Sequence, residues 1–334
     1  MILKSGMCFF ISQAISFGEK LIAEPEHVQF VASDDGTTQI PEIRVRSLPT
    51  IRGTVLDPDD RPVPKAVVRF RGKTKHGQFI ANPVLADDQG RFELTANYVP
   101  VDPTSQKRSF EQYIAAFDPY RPLAAKLEVR IDASEPVILQ LEPHAFDWPL
   151  TEFDVEFADW QRGIVPVEQA RKHAEISLQG RPAPELDGSG WINSEKMTLA
   201  ELKGKYVLLD FWFIGCGPCH ADFPSMTMAH ELYKEKGLVV IGVHNNSNNL
   251  EAVRKHVKEI GLPFPIVVDQ PDGRTISRYQ KHGIANGYPS YVLIDPQGNV
   301  ALDDRTIPHP SLRAYKLEIV RKFLLEQNEP VRND

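Results

Sequence analysis

Cysteine is scarce in this sequence: 334 residues contain only Cys8, Cys216 and Cys219. Three thiols cannot build a disulfide scaffold, so the fold has to rest on buried apolar surface. Long apolar runs are missing too. None reaches the roughly 18 residues that a membrane-spanning helix requires. A formal net charge of −7 over the whole chain gives no basic footprint for nucleic acid. What remains is an ordinary folding composition, 42% hydrophobic and 25% charged, at a length suited to two domains.

Two readings stay open for the first residues. Met1-Ile-Leu-Lys4 followed by Met7-Cys-Phe-Phe-Ile11 resembles a short export signal, with one positive charge and an apolar stretch. Ser12 and Gln13 interrupt that stretch, and no small-x-small cleavage site follows. The other reading is a misplaced start or the tail of a preceding strand. Too little apolar sequence precedes Cys8 for a lipoprotein setting.

Residues 27–142 read as all-β. Short alternating or β-branched runs recur at His27–Ala32, Ile51–Leu56, Ala66–Arg71, Arg91–Thr95, Gln112–Phe117, Lys126–Ile131 and Val137–Leu141. Turn clusters such as Asp57–Asp60, Asp87–Gly90 and Asp118–Pro122 separate them, which suggests a β-sandwich. Ile51-Arg-Gly-Thr-Val-Leu-Asp57, Pro62–Phe70 and Asp88-Gln-Gly-Arg-Phe-Glu-Leu94 resemble, in that order, the carboxypeptidase regulatory-like sandwich. The resemblance spans about 90 residues and implies a spacer or docking role rather than a chemistry. We assign residues 48–142 to this domain. Residues 1–47 are a separate segment that either adds strands to it or belongs to another module.

Residues 143–179 read as an aromatic-rich connector containing Phe146, Trp148, Phe153, Phe157 and Trp160, with a helix over Val165–Ile176. Its tryptophans either pack on the domains or mark a binding patch. From residue 180 to 328 strand and helix alternate, as in a three-layer α/β fold. Strands are expected at Tyr206–Phe213, Leu238–Val243, Pro265–Asp269, Ser290–Asp295 and Asn299–Leu302. Helices are expected from the cysteine pair to about Glu235, over Leu250–Ile260, around Arg274–Lys281, and from Pro310 to Gln327. The last would present Leu312, Tyr315, Ile319, Phe323 and Leu324 on one face.

Cys216-Gly217-Pro218-Cys219 follows a strand and opens a helix. A helix N-terminus offers unpaired N–H groups and the positive end of the dipole, which stabilise the thiolate that attacks disulfides. Cys216 is then the nucleophile. Cys219, one turn on, is the resolving thiol, and Gly217 and Pro218 suit a tight helix start.

The run Leu208–Pro224 resembles the active-site region of thioredoxins, and most closely the TlpA/ResA-type redoxins. The entry Leu199–Lys205, the helix proline Pro224, the strand Ile241-Gly-Val-His244 and the segment Asn286-Gly-Tyr-Pro-Ser-Tyr-Val-Leu-Ile-Asp295 match in order. The resemblance implies a thioredoxin fold and a thiol–disulfide oxidoreductase acting outside the cytoplasm, without a bound cofactor. Its partners are protein disulfides or dithiols and a separate dithiol electron donor or acceptor. It also implies a buried carboxylate at Asp210 near the resolving cysteine, and an acid at Asp222 where the family carries glutamate. Each would move protons to or from Cys219. Pro289 takes the place of the family's cis-proline. Tyr288, Pro289, Gly217 and Pro218 are the candidate substrate contacts, through short strand addition.

Departures and rivals accompany this reading. Gly215 replaces the usual tryptophan before the first cysteine, which widens access to the sulfur. His220 would favour nearby thiolates as a cation, weakened by solvent. Cys-Gly-Pro-Cys-His220 also fits the C-x-x-C-H pattern of haem attachment, but the strand–helix frame argues against it. Zinc would need two more ligands near the pair. A peroxidase of the same redoxin superfamily would carry threonine or serine where Phe213 stands. A non-catalytic binding protein that uses the sandwich is the remaining alternative.

Overall fold

In the computed structural model, the described residues are 8–11, 21–24, 28–31, 44–47, 50–74, 77–80, 82–95, 111–129, 135–144, 176–303 and 312–326. The connector aromatics and most of the helix expected over Val165–Ile176 lie outside this set. The chain divides into two compact units, Met1–His144 and Ala145–Asp334.

In the first unit, strand Thr50–Leu56 alternates buried and outward residues, as a half-covered strand should. It pairs parallel with Val137–Gln140 and antiparallel with Arg91–Thr95. Gly53 permits this: a Cβ there would sit 2.3 Å from the Val137 carbonyl oxygen. A second sheet centres on Val67–Thr74 and Glu111–Phe117, flanked by Gly77–Ile80, Val84–Leu85, Leu123–Glu128 and Glu142–Pro143. Both sheets feed one core: Ile51, Val55, Phe92 and Leu139 come from the first, and Val68, Phe70, Ile114 and Leu123 from the second.

One expected strand shifts in this unit. The strand expected at Lys126–Ile131 runs instead over Leu123–Glu128. The Asp118 carboxylate accepts from the Tyr120 and Arg121 amides at 2.8 and 3.0 Å, closing the turn early. In the N-terminal segment, Cys8–Ile11 pairs with Val28–Val31 and Leu21–Glu24 pairs with Arg44–Ser47. Among the described residues these form two separate two-stranded sheets.

The second unit is numbered on its own: β1 (Gly188–Ile192), β2 (Tyr206–Trp212), β3 (Leu238–His244), β4 (Ile266–Asp269), β5 (Ser290–Ile294) and β6 (Val300–Asp303). Its helices are α1 (Gly217–Tyr233), α2 (Leu250–Ile260), α3 (Arg274–Gln280) and α4 (Leu312–Glu326). The sheet order is β1-β4-β3-β2-β5-β6. Strands β2, β3 and β4 run parallel, and β5 lies antiparallel beside β2. Strand β2 is buried along its whole length, because both of its faces are covered.

Alternation along β2 sorts the two faces. Val207, Leu209 and Phe211 join Ile276 and Tyr279 of α3 in one core. On the other face Tyr206 meets Phe323 of α4, and Trp212 meets Phe223 of α1. Asp210 shares that second face. Strand β1 was not anticipated. Its Gly-Ser-Gly start has weak strand preference, and antiparallel pairing with β4 overrides it.

Candidate active site

The site forms where β2 and β3 end and β5 begins. Cys216 caps α1: its extended backbone ends the loop from β2, and its sulfur accepts the Cys219 amide N–H at 3.2 Å. No acidic residue stands in the first turn of α1, so nothing there opposes a thiolate. Cys216 and Cys219 are joined as a disulfide with Cα atoms 5.3 Å apart, and they are only 4% and 1% exposed. Gly217 and Pro218 between them are exposed, and a Cβ on Gly217 would meet nothing within 4 Å. Pro224 lies inside α1. It brings no N–H to the His220 carbonyl four residues back.

Across from this turn the Tyr288–Pro289 peptide is cis. The Tyr288 ring stands edge-on to Phe213 at 5.3 Å, and the Phe213 carbonyl in turn accepts the Cys216 amide at 3.0 Å. Burial raises the Tyr288 phenol pKa, and a hydrogen bond with the Asn245 side chain opposes that shift. The loops after β2 and β3 and the loop before β5 are thereby tied together.

The two acids occupy different settings. Asp210 is 1% exposed, paired in register with Gly242 of β3 and Tyr291 of β5. Asp222, in the second turn of α1, receives the Tyr291 hydroxyl and, at 2.7 Å, the ammonium of Lys316 from α4. Lys316 is itself buried and stands 4.7 Å from the centre of the Tyr291 ring. The proximity of Tyr291 and Lys316 to this acid could not be read locally, since Lys316 lies 94 residues on.

Three histidines surround Trp212 behind the cysteine turn, and sequence reasoning singled out only His220. His244 is fully buried, with its ring 4.7 Å from that of Trp212. Its Nε2 accepts the Ile214 amide at 3.2 Å, and its Nδ1 donates to the Asn245 carbonyl at 2.6 Å. That pair of bonds fixes a neutral tautomer. Burial pushes its pKa down to about 4. Gly242 makes room for this packing, since a Cβ there would lie 2.9 Å from Trp212 Nε1 and 2.4 Å from Ile266 Cδ1. His220 Nδ1 lies 2.8 Å from the Cys216 carbonyl, and its Nε2 lies 2.8 Å from Nε2 of His256 on α2. Among the described residues no cluster of three or more metal-ligating side chains occurs.

The AhpC/TSA family matches residues 179–302 of this chain. Curated relatives include the thiol-disulfide oxidoreductase ResA of Bacillus subtilis, 32% identical over 108 residues, which are 32% of this chain and 57% of the relative. ResA of Bacillus anthracis is 35% identical over 109 residues, 33% of this chain and 60% of the relative. This chain thus matches less than two thirds of either relative. A solved thioredoxin domain of a thiol-disulfide oxidoreductase from Bacteroides vulgatus is 28% identical, covers 44% of this chain and 97% of its own, and superposes with a TM-score of 0.37. The C-terminal part of the chain has a thioredoxin-like fold, resembles the ResA-like redoxins, and carries its cysteine pair at the helix start.

Proposed function

We propose that this protein is a thiol–disulfide oxidoreductase that exchanges its Cys216–Cys219 pair with disulfides or dithiols of other proteins. The observation that carries the reading is the disulfide at the N-terminus of α1, with the Cys219 amide already directed at the Cys216 sulfur. The same N–H stabilises a thiolate on Cys216 once the bond opens.

As a reductant, the Cys216 thiolate attacks one sulfur of a substrate disulfide. A mixed disulfide forms, and the other substrate sulfur leaves as a thiolate and takes a proton. Cys219 loses its proton and attacks Cys216 Sγ, which releases the second substrate thiolate. The substrate gains two electrons and the protein returns to its disulfide, to be reduced again by an external dithiol. Asp210 is the acceptor we assign to the Cys219 proton, because burial beside the sheet favours a carboxylate that can be neutral. Asp222 is the weaker candidate, since Lys316 and Tyr291 already engage both of its oxygens.

Substrate chain is proposed to lie along Tyr288 and Pro289, with Gly217 and Pro218 forming the opposite wall. The open space around Gly217 and Gly287 supports this, as neither Cβ would meet an atom within 4 Å. Two sheets sharing one core support a carboxypeptidase regulatory-like sandwich over residues 48–142. The redoxin domain is assigned to 180–328, with 1–47 and 143–179 as separate segments. The likeness to ResA supports a role outside the cytoplasm. No helix among the described residues is long and apolar enough to cross a membrane.

Reduction of insulin disulfides by the full chain, with dithiothreitol as donor, tests the assignment. Cys216→Ser should abolish turnover, and Cys219→Ser should accumulate a mixed disulfide through Cys216. Wild-type rates in both variants would sink it.

A further inference from the structure

The His220–His256 contact belongs to α1 and α2 and has no part in the exchange steps above. We propose that these two imidazoles act as proton-sharing positioning residues, holding a single positive charge beside Cys216 in the reduced site. This rests on the reading of Cys216–Cys219 as a working dithiol.

The hydrogen-bond geometry dictates the count of protons. A carbonyl oxygen only accepts, so the 2.8 Å contact from His220 Nδ1 to the Cys216 carbonyl requires a proton on Nδ1. In neutral His220 the Nε2 is then a bare acceptor, and His256 donates its own Nε2–H across the 2.8 Å gap. When His220 takes up a proton, the direction reverses: His220 Nε2–H donates and His256 Nε2 accepts. Either way one proton lies between the rings. A second cation would set two N–H groups against each other, so the geometry accommodates one charge on the pair and opposes two.

That charge lies on the first turn of α1, bonded to the carbonyl of the nucleophile itself. Opening the disulfide places a thiolate at Cys216, and a cation nearby favours it. By linkage the reduced site binds the pair's proton more tightly than the disulfide does. The surroundings do not compete strongly. Trp212 and Phe223 pack against the His220 ring. His244 from β3 faces the pair but stays neutral through its two fixed bonds. Glu259, one turn on in α2, is exposed and lies 3.9 Å from Lys255. Burial and the neighbouring His220 both lower the His256 pKa, in keeping with a coupled pair.

Two measurements on the full chain decide it. The first is an NMR titration of the histidine ring protons in oxidised and reduced wild-type protein. The His220–His256 step should fall at higher pH in the reduced form, and equal midpoints would overturn the proposal. The second is the pH profile of Cys216 alkylation by iodoacetamide, with thiolate absorbance as a parallel readout. His256→Phe keeps a ring against Trp212 but removes the acceptor, so the profile should move to higher pH. The rate below its midpoint should fall about threefold to tenfold, the scale of a partly screened charge at a helix end. His256→Gln offers an amide oxygen to His220 and should restore most of that rate. An unmoved His256→Phe profile, or a glutamine variant no better than phenylalanine, would also overturn it. A dithiol that alkylates normally yet leaves insulin intact would defeat the functional reading alone, and the titrations would still judge the pair.

Discussion

Asp210 is a carboxylate on a fully buried strand, and no aqueous surface is available to it. Burial disfavours the charged form of such a group, which is the property that the proposed role as acceptor of the Cys219 proton calls on. Asp210→Asn should therefore slow insulin reduction on the order of a hundredfold at neutral pH, the scale of a lost acid–base group. Single-turnover kinetics of the reduced protein would check it. His244 supplies a second test, in stability. Its folded-state pKa is about 4 against 6.5 for the free side chain. Between those values the unfolded chain binds a proton that the folded one refuses. Stability accordingly falls as pH drops from about 6.5 to about 4 and is flat below, losing about 3 kcal/mol from this group. Hydrogen-exchange protection of β2 and β3 amides across that range should show the slope, and His244→Gln should flatten it.

The helices are held by particular polar contacts as well as by apolar area. Asp222 on α1, Lys316 on α4 and Tyr291 on β5 form one tie between both helices and the sheet. The sequence reading put an apolar stripe of α4 inward. The structure also buries Lys316 and Arg321 alongside Leu317, Val320 and Leu324. A lysine reads as solvent-facing in isolation because burial of an unpaired ammonium is costly, and the contact with Asp222 offsets part of that cost. Lys316→Ala leaves the carboxylate without its ammonium and should destabilise the fold by about 3 kcal/mol, read from the urea midpoint. At the start of α2, Asn249 Oδ1 accepts the Ala252 amide at 2.9 Å, so Asn249→Ala should cost about 1 kcal/mol.

At the scale of the molecule there are two units, and among the described residues one apolar cluster is drawn from residues 51–141 of the first and another from residues 178–300 of the second. Phe92, inside the first core, packs on Gly53, where an added Cβ would lie 2.7 Å from its ring. Phe92→Ala should open that core at a cost of about 3 kcal/mol. It should leave the reduction potential of Cys216–Cys219 unchanged, since none of that core's residues belongs to the unit with the disulfide. Equilibration with glutathione buffers would test this.

The sequence alone determined the elements whose signal is local. Strand β2 was legible as an apolar run, α2 as a helix over Leu250–Ile260, and the β5–β6 hairpin from its Pro-Gln-Gly turn. Cys216 and Cys219 were legible because three residues of spacing at a helix start is itself the chemistry. Tertiary structure decided what depends on residues far apart in the chain. The glycine-rich β1 becomes a strand only because β4 offers its edge, and Lys316 goes inside only because Asp222 awaits it. His244 and His256 reach the site only when β3 and α2 pack around Trp212. Local preference is written into short stretches of chain, whereas the burial of a charge or the sharing of a proton requires a partner that only the fold brings near.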